Sequence, residues 1–181
     1  MNHTVVSEKW GCFLLQPRRF SDNRGFFCEI FNEPLKKFLN FQPVQENTSV
    51  SAKNVIRGLH IQYDPHAAKL VRVTSGKILD VVVDCRPHSN TFGEHAKFEL
   101  DAKEGLMLYV PAGFSHGFLS VEDGTTVNYH VSQAYNPSGE VAVNPFSKSL
   151  SIDWQISENQ ATLSAKDSKA KNFEDILWNR F

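Results

Sequence analysis

The sequence predicts an all-β domain, because short apolar runs alternate with turn signals through its central part. Runs of four to seven residues with many β-branched and aromatic side chains are typical of strands. Such runs recur from about residue 56 to residue 131. They are LVRV at 70–73, ILDVVVD at 78–84, AKFEL at 96–100, LMLYVP at 106–111 and TVNYHV at 126–131.

The turn signals between these runs have the spacing found in β-sandwiches and barrels. Such folds place a turn about every 8–12 residues. The order of runs and turns therefore predicts a cupin-like jelly-roll barrel with a few short peripheral helices. The turn positions are Gly76, 87–90, 104–105, Gly113 and 123–124.

The segments outside this region predict little regular structure. EPLKKFL at 33–39 has helical spacing of its apolar residues, and the tail from about residue 158 indicates short helices and loop. No repeat or linker-like stretch divides the chain. We expect a single domain over 1–181, with an N-terminal arm at 1–50, a β core at about 51–155 and a C-terminal tail.

Composition excludes several classes of protein. A chain of 181 residues with 41% hydrophobic content can bury one sizeable core. Nineteen Lys and Arg balance twenty Asp and Glu without a basic run, so no nucleic-acid partner is expected. Neither a leader nor a membrane span is indicated, which predicts a cytoplasmic location. Cys12, Cys28 and Cys85 lack the spacing of a zinc site or disulfide framework.

A polar cluster, RGLHIQ at 57–62, interrupts the apolar pattern. Alternation along a strand would direct Arg57, Leu59 and Ile61 to one face and His60 to the other. Gly58 would let a backbone or ligand approach closely. A single histidine in a strand is more often structural than catalytic, so its neighbours must decide its role.

A metal site is one interpretation of the histidines. PAGFSHGF at 111–118 is similar to half of the metal-binding cupin signature, with His116 as its ligand. In the other half, HIQ at 60–62 precedes Lys69, which stands where a carboxylate ligand belongs. A protonated lysine repels a divalent cation, and His66 lies in a loop-like segment. We therefore expect no metal and no cofactor.

The same lysine favours acid–base chemistry beside a ketone. A fixed ammonium at Lys69 would stabilise the enolate that forms when a proton leaves the neighbouring carbon. His60 is a suitable base if a carboxylate holds its second ring nitrogen. Inversion of that carbon then requires an acid that returns a proton to its opposite face, and Tyr129 is a candidate for this acid.

Further motifs follow in order between about Phe13 and Asp167. They resemble those of the dTDP-4-dehydrorhamnose 3,5-epimerase family, whose members are cupin-fold enzymes that act on nucleotide sugars. The motifs are DNRGFFCE at 22–29, QENTSVS at 45–51, VIRGLHIQ at 55–62, KLVRV at 69–73, DVVVDCR at 80–86, SNTFG at 89–93, PAGFSHGF at 111–118, IDW at 152–154 and LSAKD at 163–167.

The resemblance implies an isomerase that inverts C3 and C5 of a nucleotide-activated 4-keto-6-deoxy hexose without a metal. The reaction would convert dTDP-4-dehydro-6-deoxy-D-glucose into dTDP-4-dehydro-L-rhamnose through enolates. The resemblance assigns His60 as the base and Tyr129 as the acid, and it places Lys69 at the C4 oxygen of the sugar. Asp167 would pair with His60, although the residues alone leave Asp80 or Asp84 as alternatives.

The resemblance also implies a set of residues that bind the nucleotide. It further implies a homodimer in which the two chains exchange their N-terminal arms. Tyr135 would stack on the base, while Arg and His donors suit the diphosphate. The substrate-binding residues are Arg24, Glu29, Gln45, Asn47, Arg57, His116, Tyr135, Glu140 and Lys166.

Three alternative functions stay open at this point. The first is a C3-only or C5-only epimerase that acts on another 4-keto nucleotide sugar. The chain departs from the family pattern at Ile61, 67–68 and 143–147, near regions that shape the pockets. The second is a metal-binding cupin that uses His60, His116 and His66. The third is a nucleotide-sugar binding protein without activity.

Overall fold

The computed structural model describes residues 2–180, in which thirteen strands and one α-helix are followed by a tail of short turns. The helix α1 spans Glu33–Leu39. The strands are β1 (His3–Lys9), β2 (Cys12–Pro17), β3 (Arg19–Asp22), β4 (Gly25–Cys28), β5 (Gln45–Ser51), β6 (Ile56–Gln62), β7 (Lys69–Ser75), β8 (Lys77–Asp84), β9 (His95–Asp101), β10 (Met107–Val110), β11 (Phe114–Ser120), β12 (Thr125–Val131) and β13 (Glu140–Ala142).

Two antiparallel sheets face each other. One has the strand order β1-β2-β10-β7-β12-β5, and the other has the order β13-β6-β11-β8-β9. Apolar residues of both sheets, among them Val71, Val82 and Val127, form one buried cluster between them. The predicted all-β class is confirmed. Across residues 2–180 neither sheet closes on itself, so the layers form an open sandwich rather than a closed barrel.

The position of strand β8, buried on both faces, explains why its sequence is an almost continuous apolar run. Ile78 and Val82 point between the sheets, whereas Leu79 and Val81 pack on the opposite face against the C-terminal part of the chain. Both faces are therefore buried, and each apolar side chain contributes roughly 1.5–3 kcal/mol. Alternation also carries Asp80 into the space between the sheets, where it is fully buried.

The N-terminal fifty residues contribute more to the sandwich than the predicted arm implies. Strands β1, β2 and β5 all belong to the six-stranded sheet. Strands β3 and β4 instead pair with each other as a separate hairpin. This hairpin leaves Phe20, Phe26 and Phe27 exposed at 40%, 55% and 64%, which is unusual for clustered aromatic residues.

Helix α1 confirms the prediction made from 33–39. The Asn32 side chain accepts a hydrogen bond from the Leu35 backbone N–H at 3.0 Å, which caps the first turn. Asn40 ends the helix in a left-handed conformation. Leu35 and Leu39 are buried against the six-stranded sheet, so the helix covers its outer face.

The C-terminal tail consists of short 3-10 turns and loops, as expected. It packs on the outer face of the five-stranded sheet, where Phe173 and Trp178 lie with ring centroids 4.8 Å apart. The Trp154 indole N–H donates to the Pro145 carbonyl at 2.8 Å. The turns are Glu158–Gln160, Asp167–Lys169, Phe173–Asp175 and Trp178–Arg180.

Two further expectations concern the cysteines and the membrane. Cys12, Cys28 and Cys85 are free thiols. Burial raises the pKa of Cys12 to about 12, as expected for a structural thiol in an apolar core. Within residues 2–180, no helix has the length and apolar character needed to cross a membrane.

Candidate active site

A cavity of about 460 Å³ lies between the two sheets. Its walls come from β5, β7 and β12 of one sheet, from β6, β11 and β13 of the other, and from the tail at 162–167. A cavity of this kind, with several polar and ionisable side chains among apolar ones, is the usual place for a ligand. The predicted site residues that line it are Gln45, Asn47, Arg57, His60, Lys69, His116, Tyr129, Tyr135, Glu140 and Asp167.

A histidine and a carboxylate form a short hydrogen bond in the cavity wall. The Nε2 atom of His60 lies 2.6 Å from Oδ1 of Asp167. Asp167 is buried, and its second oxygen accepts the Gly58 backbone N–H at 3.4 Å. Burial raises the pKa of Asp167, but the hydrogen bonds from His60, Ser164 and Gly58 together with the His60 charge outweigh it and hold that pKa below its usual value. Asp167 therefore stays ionised beside the imidazole.

The alternation predicted for β6 is wrong at Arg57. Leu59 and Ile61 pack in the apolar core as expected, but Arg57 lines the cavity together with His60. The register against β11 shifts within this stretch, so β6 carries an extra residue. At Gly58, φ is +103° and an added Cβ would lie 2.7 Å from the His116 carbonyl oxygen. This close approach confirms the prediction made for the glycine.

Lys69 starts β7 and directs its ammonium group into the cavity. The Nζ atom donates to the His60 carbonyl oxygen at 3.4 Å. Burial lowers the pKa of Lys69 to about 8, while the charges of Glu140 and Asp80 act in the opposite direction. The side chain is therefore still largely cationic at neutral pH.

Tyr129 reaches the cavity from the middle of β12. It lies opposite Asn47 on β5 and Val71 on β7. Burial raises the pKa of the phenol, although the nearby Arg57 cation opposes that change. A phenol with a raised pKa remains protonated at neutral pH and can donate a proton.

A second histidine also has a carboxylate partner. The Nε2 atom of His116 lies 2.9 Å from Oδ2 of Asp80, and both side chains are buried. Asp84, the other alternative partner, binds Arg86 through Nε at 2.8 Å and lies outside the cavity lining. Of the three carboxylates left open by the sequence, Asp167 is thus the one beside His60.

Glu140 organises the rim of the cavity. One of its oxygens accepts the Tyr135 hydroxyl at 3.2 Å and forms an ion pair with Lys166. The other lies 4.0 Å from Nδ1 of His60. The Gln45 side chain accepts the Tyr135 backbone N–H at 3.0 Å. Lys166 is therefore at the edge of the predicted site, although it does not line the cavity.

Two predicted binding residues lie away from the cavity of their own chain. Arg24 is at the tip of the β3–β4 hairpin, with its side chain 86% exposed and paired with Asp22. Glu29 accepts hydrogen bonds from the side chains of Asn2 and Asn32. The structure does not bring either residue to the other site residues.

Several residues that line the cavity were not predicted from the sequence. Ser49 could have been found by alternation, since Gln45, Asn47 and Ser49 lie on one face of β5. The loop residue Gln133 and the tail at 162–164 had no periodic signal, because neither is in a strand.

The side chains do not assemble the ligand set that a metal-binding cupin needs. Among residues 2–180, no group of three or more His, Cys, Asp and Glu side chains is placed to hold a metal ion. His60 and His116 line the cavity, but His66 is exposed and lies outside its lining. The cationic Lys69 lines the same cavity as His60 and His116, where it would repel a divalent ion.

Comparison with known proteins shows the family to which the chain belongs. A sequence model of dTDP-4-dehydrorhamnose 3,5-epimerases matches residues 8–175. The chain belongs to this family. It is 38% identical to the dTDP-4-dehydrorhamnose 3,5-epimerase of Escherichia coli K12 over 179 residues, which cover 97% of this chain and 96% of that protein. Family membership identifies the chain as an epimerase of the isomerase class.

Solved structures of related epimerases have the same fold. The Legionella pneumophila dTDP-6-deoxy-D-glucose-3,5-epimerase, in complex with dTDP-4-keto-L-rhamnose, superposes with a TM-score of 0.90 at 33% identity, covering 96% of this chain and 94% of that one. A 3'-monoepimerase from Streptomyces bikiniensis, in complex with dTDP-quinovose, gives 0.82 at 33% identity, covering 90% and 83%. The cupin-like architecture predicted from the sequence is thereby confirmed.

Proposed function

We propose that the chain inverts C3 and C5 of dTDP-4-dehydro-6-deoxy-D-glucose to form dTDP-4-dehydro-L-rhamnose, without a metal ion. The observation that carries the proposal is the meeting of His60, paired with Asp167, with Lys69 and Tyr129 at one cavity. The C3 and C5 hydrogens both lie next to the C4 ketone. One base, one acid and one cation can therefore serve both carbons.

His60 acts as the base through Nδ1, because its Nε2 is occupied by Asp167 at 2.6 Å. When Nδ1 takes the carbon-bound proton, the ring becomes an imidazolium. The adjacent Asp167 carboxylate stabilises this charge and fixes the orientation of the ring. A base held in this way contributes about 10²–10⁴-fold to the rate of such reactions.

Lys69 stabilises the enolate that forms when the proton leaves. The electron pair of the C–H bond moves into a C–C double bond, and negative charge develops on the C4 oxygen. The Lys69 ammonium, enclosed in the cavity, interacts with that oxygen more strongly than it would in water. The acid Tyr129 then protonates the carbon on the opposite face and completes the inversion.

The remaining cavity residues bind the nucleotide diphosphate. Arg57 and His116 offer charge-assisted donors to the phosphate oxygens. Tyr135 is 54% exposed at the rim, where its ring is available to stack on the base. The other proposed contacts at this end are Gln45, Asn47, Glu140 and Lys166.

We further propose that two chains form a dimer in which the β3–β4 hairpin of each covers the cavity of the other. The exposed Phe26 and Phe27 favour burial against a partner. The hairpin would also bring Arg24 and Glu29 to the second chain's substrate. Light scattering should give a dimer, and Arg24→Ala should raise KM while leaving kcat nearly unchanged. A monomer with full activity would contradict the proposed exchange.

A cytoplasmic location is part of the same proposal. It is supported by the free thiols of Cys12, Cys28 and Cys85, since a reducing compartment preserves thiols. Fractionation of cells that express the full chain would test it, and recovery outside the cytoplasm would contradict it.

Proton NMR of the substrate in deuterated water tests the reaction directly. We expect loss of both the C3 and C5 hydrogen signals and appearance of the lyxo product. Loss at C3 alone would replace the proposal with a C3-only epimerase. That second candidate is favoured by the similarity to the Streptomyces 3'-monoepimerase. Absence of any exchange would contradict both.

Tyr129→Phe tests the assigned acid in the same experiment. This variant keeps the base His60 and the cation Lys69 but lacks the phenolic proton. Exchange with deuterated water should continue largely intact, while inversion is impaired. Full inversion by Tyr129→Phe would contradict the role of the acid.

A further inference from the structure

The segment that carries Tyr135 follows β12 and has no regular secondary structure, yet side chains hold its backbone. The Tyr135 backbone N–H donates to the side chain of Gln45 at 3.0 Å. The residues on either side of Tyr135 bind a second glutamine, Gln62. It donates to the Ala134 carbonyl oxygen at 3.0 Å and accepts the Asn136 backbone N–H at 3.0 Å. Three consecutive residues are therefore held by two glutamines, which come from β5 and β6 and thus from both sheets.

Gln62 uses its whole amide group to hold the backbone. The residue is buried, with 7% of its surface exposed, and it lines the cavity. Besides binding Ala134, its Nε2 atom donates to the Pro65 carbonyl oxygen at 3.2 Å. The nitrogen thus binds two carbonyl oxygens, and the oxygen binds one N–H. Because an amide nitrogen only donates and an amide oxygen only accepts, these partners fix the orientation of the side chain.

The strand that carries Gln62 also carries the proposed base. Gln62 follows His60 by two residues on β6, so alternation directs both side chains into the cavity, whereas Ile61 packs in the core. Strand β6 lies between β13 and β11 in the five-stranded sheet. The irregular segment with Tyr135 is therefore attached to a strand that is held on both sides.

We propose that Gln62 is a positioning residue that holds Tyr135 where its ring stacks on the nucleotide base. The inference rests on the proposed function, in which Tyr135 makes this contact. Both N–H donors of the Gln62 amide are used within the chain, so Gln62 acts on the nucleotide through Tyr135. The segment is held before the nucleotide arrives, and binding does not have to order it.

Gln62→Met tests the proposal, because methionine is similar in length to glutamine but has no N–H donor. Gln16→Met is a matched control. The Nε2 atom of Gln16 likewise donates to two backbone carbonyl oxygens, those of Pro17 at 3.5 Å and Glu104 at 3.0 Å, but Gln16 lies outside the cavity lining. Only Gln62→Met should release the Tyr135 segment. Gln62→Asn, whose amide is one carbon shorter, takes its place if Gln62→Met does not fold.

Isothermal titration calorimetry with dTDP measures the effect on binding. Tyr135→Ala should raise Kd about tenfold through loss of stacking, and Gln62→Met should raise it about fivefold. Gln16→Met should leave Kd unchanged. The double variant of Gln62→Met and Tyr135→Ala should have the Kd of Tyr135→Ala alone, because residues that act as one unit are not additive. An unchanged Kd in Gln62→Met, or a further fivefold rise in the double variant, would overturn the proposal.

Steady-state kinetics supply a second readout. KM should rise in Gln62→Met while kcat stays within about twofold, since His60, Lys69 and Tyr129 are unchanged. A loss of kcat as large as the rise in KM would show a general structural role and overturn the proposal. If the unsubstituted chain exchanges no substrate hydrogens, the proposed reaction fails, but the dTDP titrations still test Gln62 independently.

Discussion

Two histidine–carboxylate pairs share one cavity, yet their surroundings differ. The His60 side chain is 27% exposed and its partner Asp167 comes from the tail, 107 residues away. The His116 side chain is 7% exposed, and Asp80 lies on the neighbouring strand β8. The pKa of Asp167 is lowered by His60 despite its burial, whereas burial raises the pKa of Asp80.

The difference agrees with the roles proposed for the two pairs, which are proton transfer at His60 and binding of the diphosphate at His116. His60 has one nitrogen held by a carboxylate and the other near open space, which is the arrangement that a general base needs. His116 is enclosed, and its carboxylate partner Asp80 is fully buried. The same two residue types can therefore have different roles because of exposure and neighbours.

Removal of His60 should have the largest effect. His60→Ala should lower kcat by about 10³–10⁴-fold, because no other group takes the carbon-bound proton. Substrate hydrogens should then no longer exchange with deuterated water, as followed by NMR. His66→Ala is the matched control, since His66 is exposed and lies outside the cavity. Equal loss in both variants would favour the metal-binding alternative.

The carboxylate that holds His60 should be next in importance. Asp167→Asn keeps the side-chain shape but cannot stabilise an imidazolium, so kcat should fall by about 10²-fold with little change in KM. Steady-state kinetics would measure both constants. Asp175→Asn, an exposed change in the same tail, should leave them unaltered. An Asp167→Asn protein with normal kcat would contradict the assigned pair.

The enclosed histidine should affect binding more than turnover. His116→Gln removes a charge-assisted donor to the diphosphate, so Kd for dTDP should rise about tenfold. Isothermal titration calorimetry would measure this change in affinity. A normal Kd together with a large loss of kcat would instead place His116 in proton transfer and remove the contrast between the two pairs.

A change of pH near neutrality, which acts on the ionisation of Lys69, should have the smallest effect on kcat/KM. The active form of Lys69 is the ammonium, and its pKa is about 8. As pH rises through this value the cation is lost, so kcat/KM should be about halved at pH 8 and fall roughly tenfold per unit above it. Lys69→Met should be almost inactive at every pH. A flat profile to pH 10 would contradict the proposed charge role.

Much of the fold followed from local periodicity. The apolar run at 78–84 predicted a strand, and alternation within β8 correctly separates the two packed faces. The prediction failed for Arg57, because the extra residue near Gly58 reverses the alternation that the sequence implies. A bulge of this kind depends on the pairing of β6 with β11, and the local sequence pattern of β6 contains no information about that pairing.

The two pairs also differ in how far the sequence could predict them. Asp80 and Asp84 both point inward, and only the register with β11 decides that Asp80 meets His116. Asp167 has no local signal that relates it to His60, so its pairing was expected from family resemblance alone. Long-range contacts depend on the packing of the whole chain, which composition and spacing do not contain.

The origin of Asp167 has a consequence for how the protein matures. His60 lies in the first third of the chain, while its partner is held by a tail whose Phe173 and Trp178 pack on the sheet. During synthesis the sandwich strands emerge well before residue 167. A chain that ended before residue 167 would therefore lack both the carboxylate beside His60 and the aromatic side chains that cover the outer face of the five-stranded sheet.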